Sequence, residues 1–145
     1  LRAKARDNAR TPMQWNDETN AGFTKGKPWY RVNSNYTQIN VKQALADENS
    51  IFYCYQKLIQ MRKENPIMVY GDYELLLPED KNIYAYKRMC QGKTWLIICN
   101  FYENNVEFSL NGTGKILISN YENSCTDLTK GKLRPYEAII YEWIQ

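Results

Sequence analysis

The chain has 145 residues, of which 43% are hydrophobic and 24% are charged, and its net charge is +3. This composition is typical of a folded globular chain and excludes an intrinsically disordered one. No apolar run approaches the roughly 20 residues that cross a bilayer, so no membrane partner is predicted. Residues 1–33 hold seven Lys or Arg against three acidic residues, which is too sparse for a nucleic-acid-binding arm. No nucleic-acid partner is predicted either.

The first segment reads as a polar loop that opens with the sequence RDNARTPMQW, residues 6–15. No strong period of 2 or 3.6 runs through it, and irregular structure is predicted for residues 16–48, where glycine and proline recur. Loops with arginines, amides and tryptophans are places where binding residues tend to lie. The alternative is a surface loop in which Asp7 pairs with an arginine and Trp15 fills the edge of a core. The chain begins at Leu1 inside this loop, so we expect it to be part of a longer protein.

Residues 50–64 are predicted to form the one convincing helix. Apolar residues fall there at helical spacing, namely Ile51, Tyr55, Leu58 and Ile59. Asn49 or Ser50 can accept hydrogen bonds from the free N–H groups at its start, and Pro66 ends it.

From residue 68 onward the apolar period changes to two, which predicts strands. The predicted strands are Val69–Tyr70 with Tyr73–Leu77, Ile83–Arg88, Thr94–Phe101, Val106–Leu110, Lys115–Ser119 and Glu137–Trp143. Trp95–Cys99 is continuously apolar and indicates a central strand that is buried on both faces. Short strands separated by regular turn signals favour an antiparallel β-sandwich.

The cysteine pattern argues against a metal centre. The four cysteines are widely spaced, and the chain has no histidine to complete a zinc site. Cys54 falls in the predicted helix, while Cys90 and Cys99 fall at or in strands, so buried free thiols are predicted. Free thiols suit a reducing cytoplasm, and no metal or cofactor is predicted.

Several short segments of the sequence, taken together, resemble one protein family. They are RDNARTPMQW at residues 6–15, NAGFT at 20–24, RKENP at 62–66, VYGDY at 69–73 and RPYEA at 134–138. They resemble the α-glucosidase and oligo-1,6-glucosidase branch of the α-amylase superfamily, glycoside hydrolase family 13. The resemblance implies that residues 1–66 are the C-terminal end of a catalytic (β/α)8 barrel, with a substrate-side loop and the last helix. Residues 67–145 would then be an antiparallel β-sandwich C-terminal domain.

The resemblance also implies the activity of an intact enzyme, a retaining exo-acting α-glucosidase that hydrolyses α-1,6-linked or other α-linked gluco-oligosaccharides. Glycoside hydrolysis needs two facing carboxyl groups, and in the family these come from strands upstream of Arg6. Asp72, Glu74 and Asp127 could be proposed instead, but a solvated role is favoured. The chain alone is therefore expected to be non-catalytic.

Two arginines match positions of the family loop at the bottom of the sugar pocket. Arg6 is predicted to bind substrate near its non-reducing end, and Arg10 to hold the loop or a pairing carboxylate. The predicted partners are the missing N-terminal barrel and the α-linked gluco-oligosaccharide. An exposed apolar helix face at residues 50–64 also predicts self-association of the chain.

Two other functions stay open. One is a related glucosyl-transferring isomerase, whose specificity would depend on barrel loops. The other is a non-catalytic carbohydrate-binding sandwich module, in which aromatic side chains would stack on sugars. Tyr84 and Tyr86 share one strand face, with Tyr136 or Tyr141 as neighbours, although alternating tyrosines are also ordinary in a sheet.

Overall fold

The computed structural model describes residues 10–144. The chain divides into two compact units, and the boundary between them falls between Leu58 and Ile59.

The first unit is less irregular than the sequence predicts. It contains two 3₁₀ turns, Thr19–Gly22 and Ser34–Thr37, and a helix, α1, at Val41–Ala46. The prediction of irregular structure for residues 16–48 is therefore wrong at α1. This helix depends on Asn40, which is buried and whose Oδ1 accepts a hydrogen bond from the Gln43 backbone N–H at 2.9 Å. A six-residue helix shows too few turns to produce a period, so only its cap could have indicated it.

The predicted helix is present as α2, Ile51–Glu64. None of its fourteen residues, all within the described part of the chain, is buried. The exposed large apolar side chains are Ile51, Phe52, Tyr55 and Ile59. The predicted exposed apolar face is thus confirmed. Capping of its start by Asn49 or Ser50 stays a prediction from the sequence, and the Ser50 hydroxyl donates to the Ala44 carbonyl oxygen at 2.6 Å.

One predicted strand segment is a helix instead. Val69–Tyr70 lies in α3, Ile67–Tyr70, which begins directly after Pro66. The backbone N–H groups of Val69 and Tyr70 both donate to the Pro66 carbonyl, at 3.0 and 2.7 Å. Pro66 has φ −53°, which suits the start of a helical turn, and this local geometry overrides the strand preference of valine and tyrosine.

The second unit is an antiparallel β-sandwich, as predicted. Its strands are β1 Asp72–Leu76, β2 Ile83–Cys90, β3 Lys93–Asn100, β4 Val106–Phe108, β5 Thr113–Ser119, β6 Gly131–Leu133 and β7 Ala138–Ile144. A five-stranded sheet has the order β1-β2-β3-β7-β5, and a two-stranded sheet pairs β4 with β6. Strand β6 was not predicted, because three residues in a glycine- and lysine-containing stretch read as a turn.

The core lies between the two sheets. Its buried residues are Ile83, Ala85, Leu96, Ile98, Phe108, Leu128, Leu133, Ile139, Tyr141 and Trp143. Within β2, Ile83 and Ala85 face this core while Tyr84 is exposed, so the predicted alternation is confirmed. The predicted central position of β3 is also confirmed, since it pairs with β2 and β7. Gly131 allows the Phe108 ring to lie against its backbone, because a Cβ there would overlap the ring.

A buried ion pair fixes the turn before β7. Glu137 is 1% exposed, and its Oε2 accepts hydrogen bonds from the backbone N and the Nε of Arg134, at 2.7 and 3.1 Å. Its Oε1 accepts from a terminal guanidinium nitrogen of Arg134 at 2.7 Å and from the Ser124 hydroxyl. The same guanidinium lies over the Tyr121 ring, 4.2 Å from its centroid. The carboxylate therefore holds the turn and a neighbouring loop together.

All four cysteines are free thiols, as predicted. Burial raises the pKa of the Cys99 thiol. The predicted burial of the thiols is wrong, since Cys90 and Cys99 are only partly buried and Cys54 is exposed on α2, where no side chain is buried. Between residues 10 and 144, no helix combines the length and the apolar character needed to cross a membrane.

Candidate substrate-side loop

The candidate site is built on the segment before α1, which is tied to the start of that helix. The backbone N–H groups of Val41 and Lys42 donate to the carbonyl oxygens of Gln14 and Trp15, at 2.9 and 3.0 Å. The Gln14 side-chain amide donates to the Ile39 carbonyl at 2.5 Å. The two backbone bonds use N–H groups that the first turn of a helix leaves free. Residues 14 and 15 are therefore anchored to α1.

Side-chain amides extend this anchor. Asn33 Nδ2 lies 3.4 Å from both Gln14 Oε1 and Thr11 Oγ1, and Gln14 Nε2 donates to Asn35 Oδ1 at 3.2 Å. These contacts make Gln14 an anchor of the loop. The Trp15 ring is half exposed, so it does not fill a core edge in the described residues. The sequence shows that these amide side chains are present, but it does not indicate which of them form hydrogen bonds with each other.

A left-handed turn follows the anchor. Asn20, Ala21 and Gly22 have φ values of 54°, 58° and 67°. Non-glycine residues with positive φ are uncommon, and such strain persists only where the surroundings fix it. Here the Ala21 carbonyl accepts from the backbone N–H groups of Trp15 and Asn16 at 2.9 and 3.2 Å. The Asn20 amide donates to the carbonyls of Thr24 and Gly26, and the Ala21 methyl is fully buried.

Asn16 packs against this turn. Its Oδ1 accepts a hydrogen bond from the Glu18 backbone N–H at 3.0 Å. A Cβ at Gly22 would lie 2.5 Å from the same oxygen, so only glycine fits there. The amide and the turn therefore depend on each other.

An open depression of about 820 Å³ lies beside the turn. It is lined by Glu18, Thr19, Gly22, Phe23, Thr24 and Lys25. Hydroxyl, carboxylate and ammonium groups next to a half-exposed Phe23 ring suit a polyhydroxylated ligand. None of these residues was predicted as a site residue, although residues 20–24 form one of the sequence segments that resemble the family.

The two predicted substrate-binding residues are Arg6 and Arg10. Arg6 lies outside the described residues. Arg10 is exposed at a bend and does not line the depression. Substrate binding by both arginines stays a prediction from the sequence.

The charges near the loop are solvent-exposed. Lys42 Nζ lies 3.1 Å from Asp17 Oδ1, and this hydrogen bond lowers the pKa of the Asp17 carboxyl. Within residues 10–144, no group of three or more His, Cys, Asp or Glu side chains is placed to hold a metal ion.

The sandwich has a second open depression of about 530 Å³. It is lined by Glu107, Phe108, Ser109, Thr129, Lys130, Gly131 and Lys132. Phe108 is buried and packs against Gly131, so its ring face is not free for a sugar. This depression therefore gives little support to the prediction of a sugar-binding module, in which exposed aromatic rings would stack on sugars.

Comparison with known families assigns both parts of the chain. Residues 1–71 match the model for the alpha amylase catalytic domain, and residues 73–140 match that for the maltogenic amylase C-terminal domain. The chain belongs to glycoside hydrolase family 13, the α-amylase family. Its similarity to the oligo-1,6-glucosidase branch is also clear. An oligo-1,6-glucosidase of Halalkalibacterium halodurans is 52% identical over 97% of this chain and 26% of its own length.

Solved structures of this family share the fold. A trehalose-6-phosphate hydrolase of Bacillus licheniformis matches with a TM-score of 0.91 and 44% identity, over 98% of this chain and 27% of its own. An isomaltulose synthase of Klebsiella sp. LX3 matches with a TM-score of 0.89 and 38% identity, over 97% of this chain and 26% of its own. The chain thus spans about a quarter of the length of the family 13 proteins that it matches.

Proposed function

We propose that this chain is the C-terminal part of a longer family 13 enzyme, a retaining exo-acting α-glucosidase that hydrolyses α-1,6-linked or other α-linked gluco-oligosaccharides. The observation that carries the proposal is the 52% identity to an oligo-1,6-glucosidase across 97% of the chain. The catalytic barrel would end near residue 66 and the sandwich domain would begin there. The family matches, which meet at residues 71 and 73, support a junction in this region.

In this proposal the chain supplies substrate positioning and the preceding barrel supplies the chemistry. Retention requires one carboxylate to attack the sugar carbon and one carboxyl group to protonate the leaving oxygen, and both would lie upstream of Arg6. Arg6 would donate hydrogen bonds to sugar hydroxyls near the non-reducing end. Arg10 would hold the loop or a barrel carboxylate through its planar set of donors.

The rigidity of the loop supports this role. A positioning loop must hold its groups in place before substrate arrives. The contacts of Gln14 and Asn33, together with the left-handed turn, join residues 11 to 42 by hydrogen bonds inside the chain. The depression beside Phe23 would then lie next to the bound oligosaccharide, where its hydroxyl groups can meet sugar hydroxyls.

The partner of the chain would be the catalytic barrel of the same polypeptide. Helix α2 supports this, since Ile51 and Tyr55 are 87% and 65% exposed and no residue of the helix is buried. Apolar faces of this kind mark interaction surfaces. If the chain is studied without the barrel, the same face would drive self-association. The free thiols support a cytoplasmic location.

The test is hydrolysis by the longer polypeptide that carries this chain, compared with the chain alone. Isomaltose, trehalose 6-phosphate and sucrose are offered at equal concentration, and free glucose and product isomers are measured. Glucose release from isomaltose by the longer polypeptide and none by the chain supports the proposal. Turnover by the chain alone would contradict the assignment of the catalytic carboxylates to the barrel.

A glucosyl-transferring isomerase is the second candidate, favoured by the match to an isomaltulose synthase. Conversion of sucrose to an isomeric disaccharide, with little free glucose, would support it over the hydrolase. Preference for trehalose 6-phosphate over isomaltose would instead place the enzyme with the phosphate-specific relatives.

The role of the arginines is tested in the same longer polypeptide. Arg6→Lys keeps the charge but loses the planar donors, so we expect a large fall in kcat/KM for isomaltose. Arg10→Lys is the matched variant, and it should affect the midpoint of thermal unfolding more than kcat/KM. Equal and small effects of both variants on kcat/KM would contradict the role of Arg6.

A further inference from the structure

A bend at residues 111–112, directly before β5, carries an Asn-Gly pair that the proposed function does not use. Asn111 precedes Gly112, and no other asparagine in the sequence precedes a glycine. Gly112 has φ +89°, a conformation that residues with a side chain rarely adopt, so glycine suits the bend. Asn111 is exposed. The fold therefore favours glycine at this position and leaves the preceding asparagine open to water.

The fold binds Asn111 through its backbone. Its backbone carbonyl accepts a hydrogen bond from Trp143 Nε1 at 2.8 Å, whereas within residues 10–144 no hydrogen bond holds its side-chain amide. Amides that the fold does hold donate to backbone carbonyls, and they belong to Asn20, Asn40, Asn65, Asn100 and Asn120. The Asn111 side chain can therefore turn toward the neighbouring backbone without breaking a contact of this kind.

An Asn-Gly pair supports an intramolecular reaction that needs only water. The backbone nitrogen of Gly112 loses its proton and attacks Cγ of Asn111, and the new C–N bond closes a cyclic imide. The bond from Cγ to Nδ2 breaks, and the amide nitrogen leaves as ammonia with a proton. Water then opens the imide at Cγ to give aspartate, or at the main-chain carbonyl to give isoaspartate. Because glycine has no Cβ, its nitrogen is less shielded than that of any other following residue.

We propose that Asn111 is a modification site, at which the bend deamidates spontaneously in the folded protein, and that isoaspartate formed there displaces the hydrogen-bond acceptor of Trp143. This inference goes beyond the proposed function and does not depend on it, because the reaction uses no substrate and no residue of the barrel.

Anchors on both sides make the bend sensitive to a change in length. The backbone N–H of Leu110 donates to the Leu128 carbonyl at 2.8 Å, and that of Gly114 donates to the Thr126 carbonyl at 2.9 Å. Isoaspartate adds one carbon–carbon bond, about 1.5 Å, to the main chain between these anchors. The carbonyl that accepts from Trp143 then becomes a free carboxylate outside the main chain. Water solvates this charge better than the edge of a core does, so the carboxylate moves outward.

Trp143 links the modification to stability. Its side chain is 9% exposed and belongs to the core between the two sheets. A buried indole N–H normally has an acceptor, and leaving it without one is costly. We therefore expect isoaspartate at residue 111 to lower the thermal midpoint of the sandwich and to speed backbone amide exchange at the start of β5.

The first test incubates the longer polypeptide, folded, at mildly alkaline pH, where a backbone nitrogen loses its proton more readily. Peptide mass spectrometry locates each asparagine whose amide has become an acid, and an isoaspartyl methyltransferase labels the isoaspartate form. We expect Asn111 to react about tenfold faster than Asn33 and Asn49, which are exposed but precede serine, whose Cβ shields the nitrogen. Reaction at Asn111 that is no faster than at these two references would overturn the proposal.

Unfolding in urea separates the contribution of the fold from that of the pair. The unfolded polypeptide gives the rate of an unrestrained Asn-Gly pair, and reaction at Asn111 in both states supports the proposal. Reaction in urea and none in the folded protein would overturn it, because the bend would then protect Asn111. A rate that does not rise with pH would contradict attack by the Gly112 nitrogen.

A substitution tests the link to Trp143. Asn111→Gln keeps the amide and the backbone carbonyl, but its longer side chain closes the imide ring far more slowly. During incubation we expect the thermal midpoint of the wild type to fall in step with isoaspartate content, and that of Asn111→Gln to stay at its initial value. Asn49→Gln is the matched control and should follow the wild type. Equal losses in the wild type and Asn111→Gln would overturn the proposed effect on Trp143.

Discussion

The buried carboxylate of Glu137 should contribute more to stability than other acidic residues of the sandwich. Glu137→Ala removes an acceptor of four hydrogen bonds, three of which come from Arg134. The substitution leaves the backbone N–H of Arg134 and the hydroxyl of Ser124 without this acceptor. The turn that leads into β7 then loses its carboxylate contact with Ser124 in the loop that carries Tyr121.

The magnitude follows from burial. Breaking a buried ion pair by removing one partner costs about 3–5 kcal/mol. The Arg134 side chain is 35% exposed, so water can solvate part of its charge once Glu137 is gone. We therefore expect the lower end of that range, about 3 kcal/mol. For a chain of this size, such a loss lowers the thermal midpoint by roughly 10 °C.

The assay is thermal and urea unfolding followed by circular dichroism at pH 7. Glu107→Ala is the matched control, because Glu107 is exposed on β4 and faces Lys132 across the strand pair. An exposed pair of this kind contributes less than about 1 kcal/mol. Equal losses for Glu137→Ala and Glu107→Ala would refute the argument from burial.

The pH dependence gives a second check. Burial raises the pKa of Glu137, but hydrogen bonds from Arg134 and Ser124 more than offset this, so its pKa lies below the ordinary 4.5. A carboxyl group with a lowered pKa stabilises the fold above the unfolded-state pKa, and this contribution is lost as pH falls through the folded-state pKa. The stability difference between the wild type and Glu137→Gln should therefore be constant near neutral pH and shrink below pH 4.5. A difference that grows on acidification would contradict this sign.

Three other substitutions test the loop, the core and the helix face. Gly22→Ala should lower the stability of the loop by about 2 kcal/mol, because alanine disfavours positive φ and its Cβ would overlap Asn16. We expect faster amide hydrogen exchange at Trp15 and Asn16, and unchanged exchange would refute this prediction. Gly131→Ala should cost about 1–3 kcal/mol through overlap with Phe108, and urea unfolding that matches the wild type would contradict this. Ile51→Glu should reduce self-association of the isolated chain in light scattering, whereas a wild-type monomer at high concentration would contradict that prediction.

The elements that were predicted correctly from the sequence are long enough for the spacing of their apolar residues to repeat. Helix α2 and strands β2, β3 and β7 are long enough for their apolar residues to repeat two or more times. Helix α1 and strand β6 have six and three residues, so no period can form. Helix α3 was missed for another reason, since Val69 and Tyr70 favour a strand locally and Pro66 at the start of the turn decides their conformation.

The loop shows a different limit. Its sequence segments indicated a family and a polar surface. They could not indicate that the Gln14 side chain forms hydrogen bonds with Asn33 and Asn35, residues about twenty positions away. The left-handed Ala21 had no sequence signal, because alanine is an unfavourable residue for positive φ. Its methyl group is fully buried and its carbonyl accepts two hydrogen bonds, so packing and bonding offset the backbone strain. Pairing and strain of this kind depend on tertiary contacts, which composition and spacing do not encode.

The exposure of α2 connects the fold to the proposed function. An isolated helix of fourteen residues is marginal in water, and most helical stability in proteins comes from packing of an apolar face. Ile51, Phe52 and Tyr55 are also weaker helix formers than alanine or leucine, so propensity does not compensate. Yet no residue of α2 is buried by the rest of the described chain. In the proposed function, the surface that covers this helix would come from the catalytic domain, whose family model matches residues 1–71.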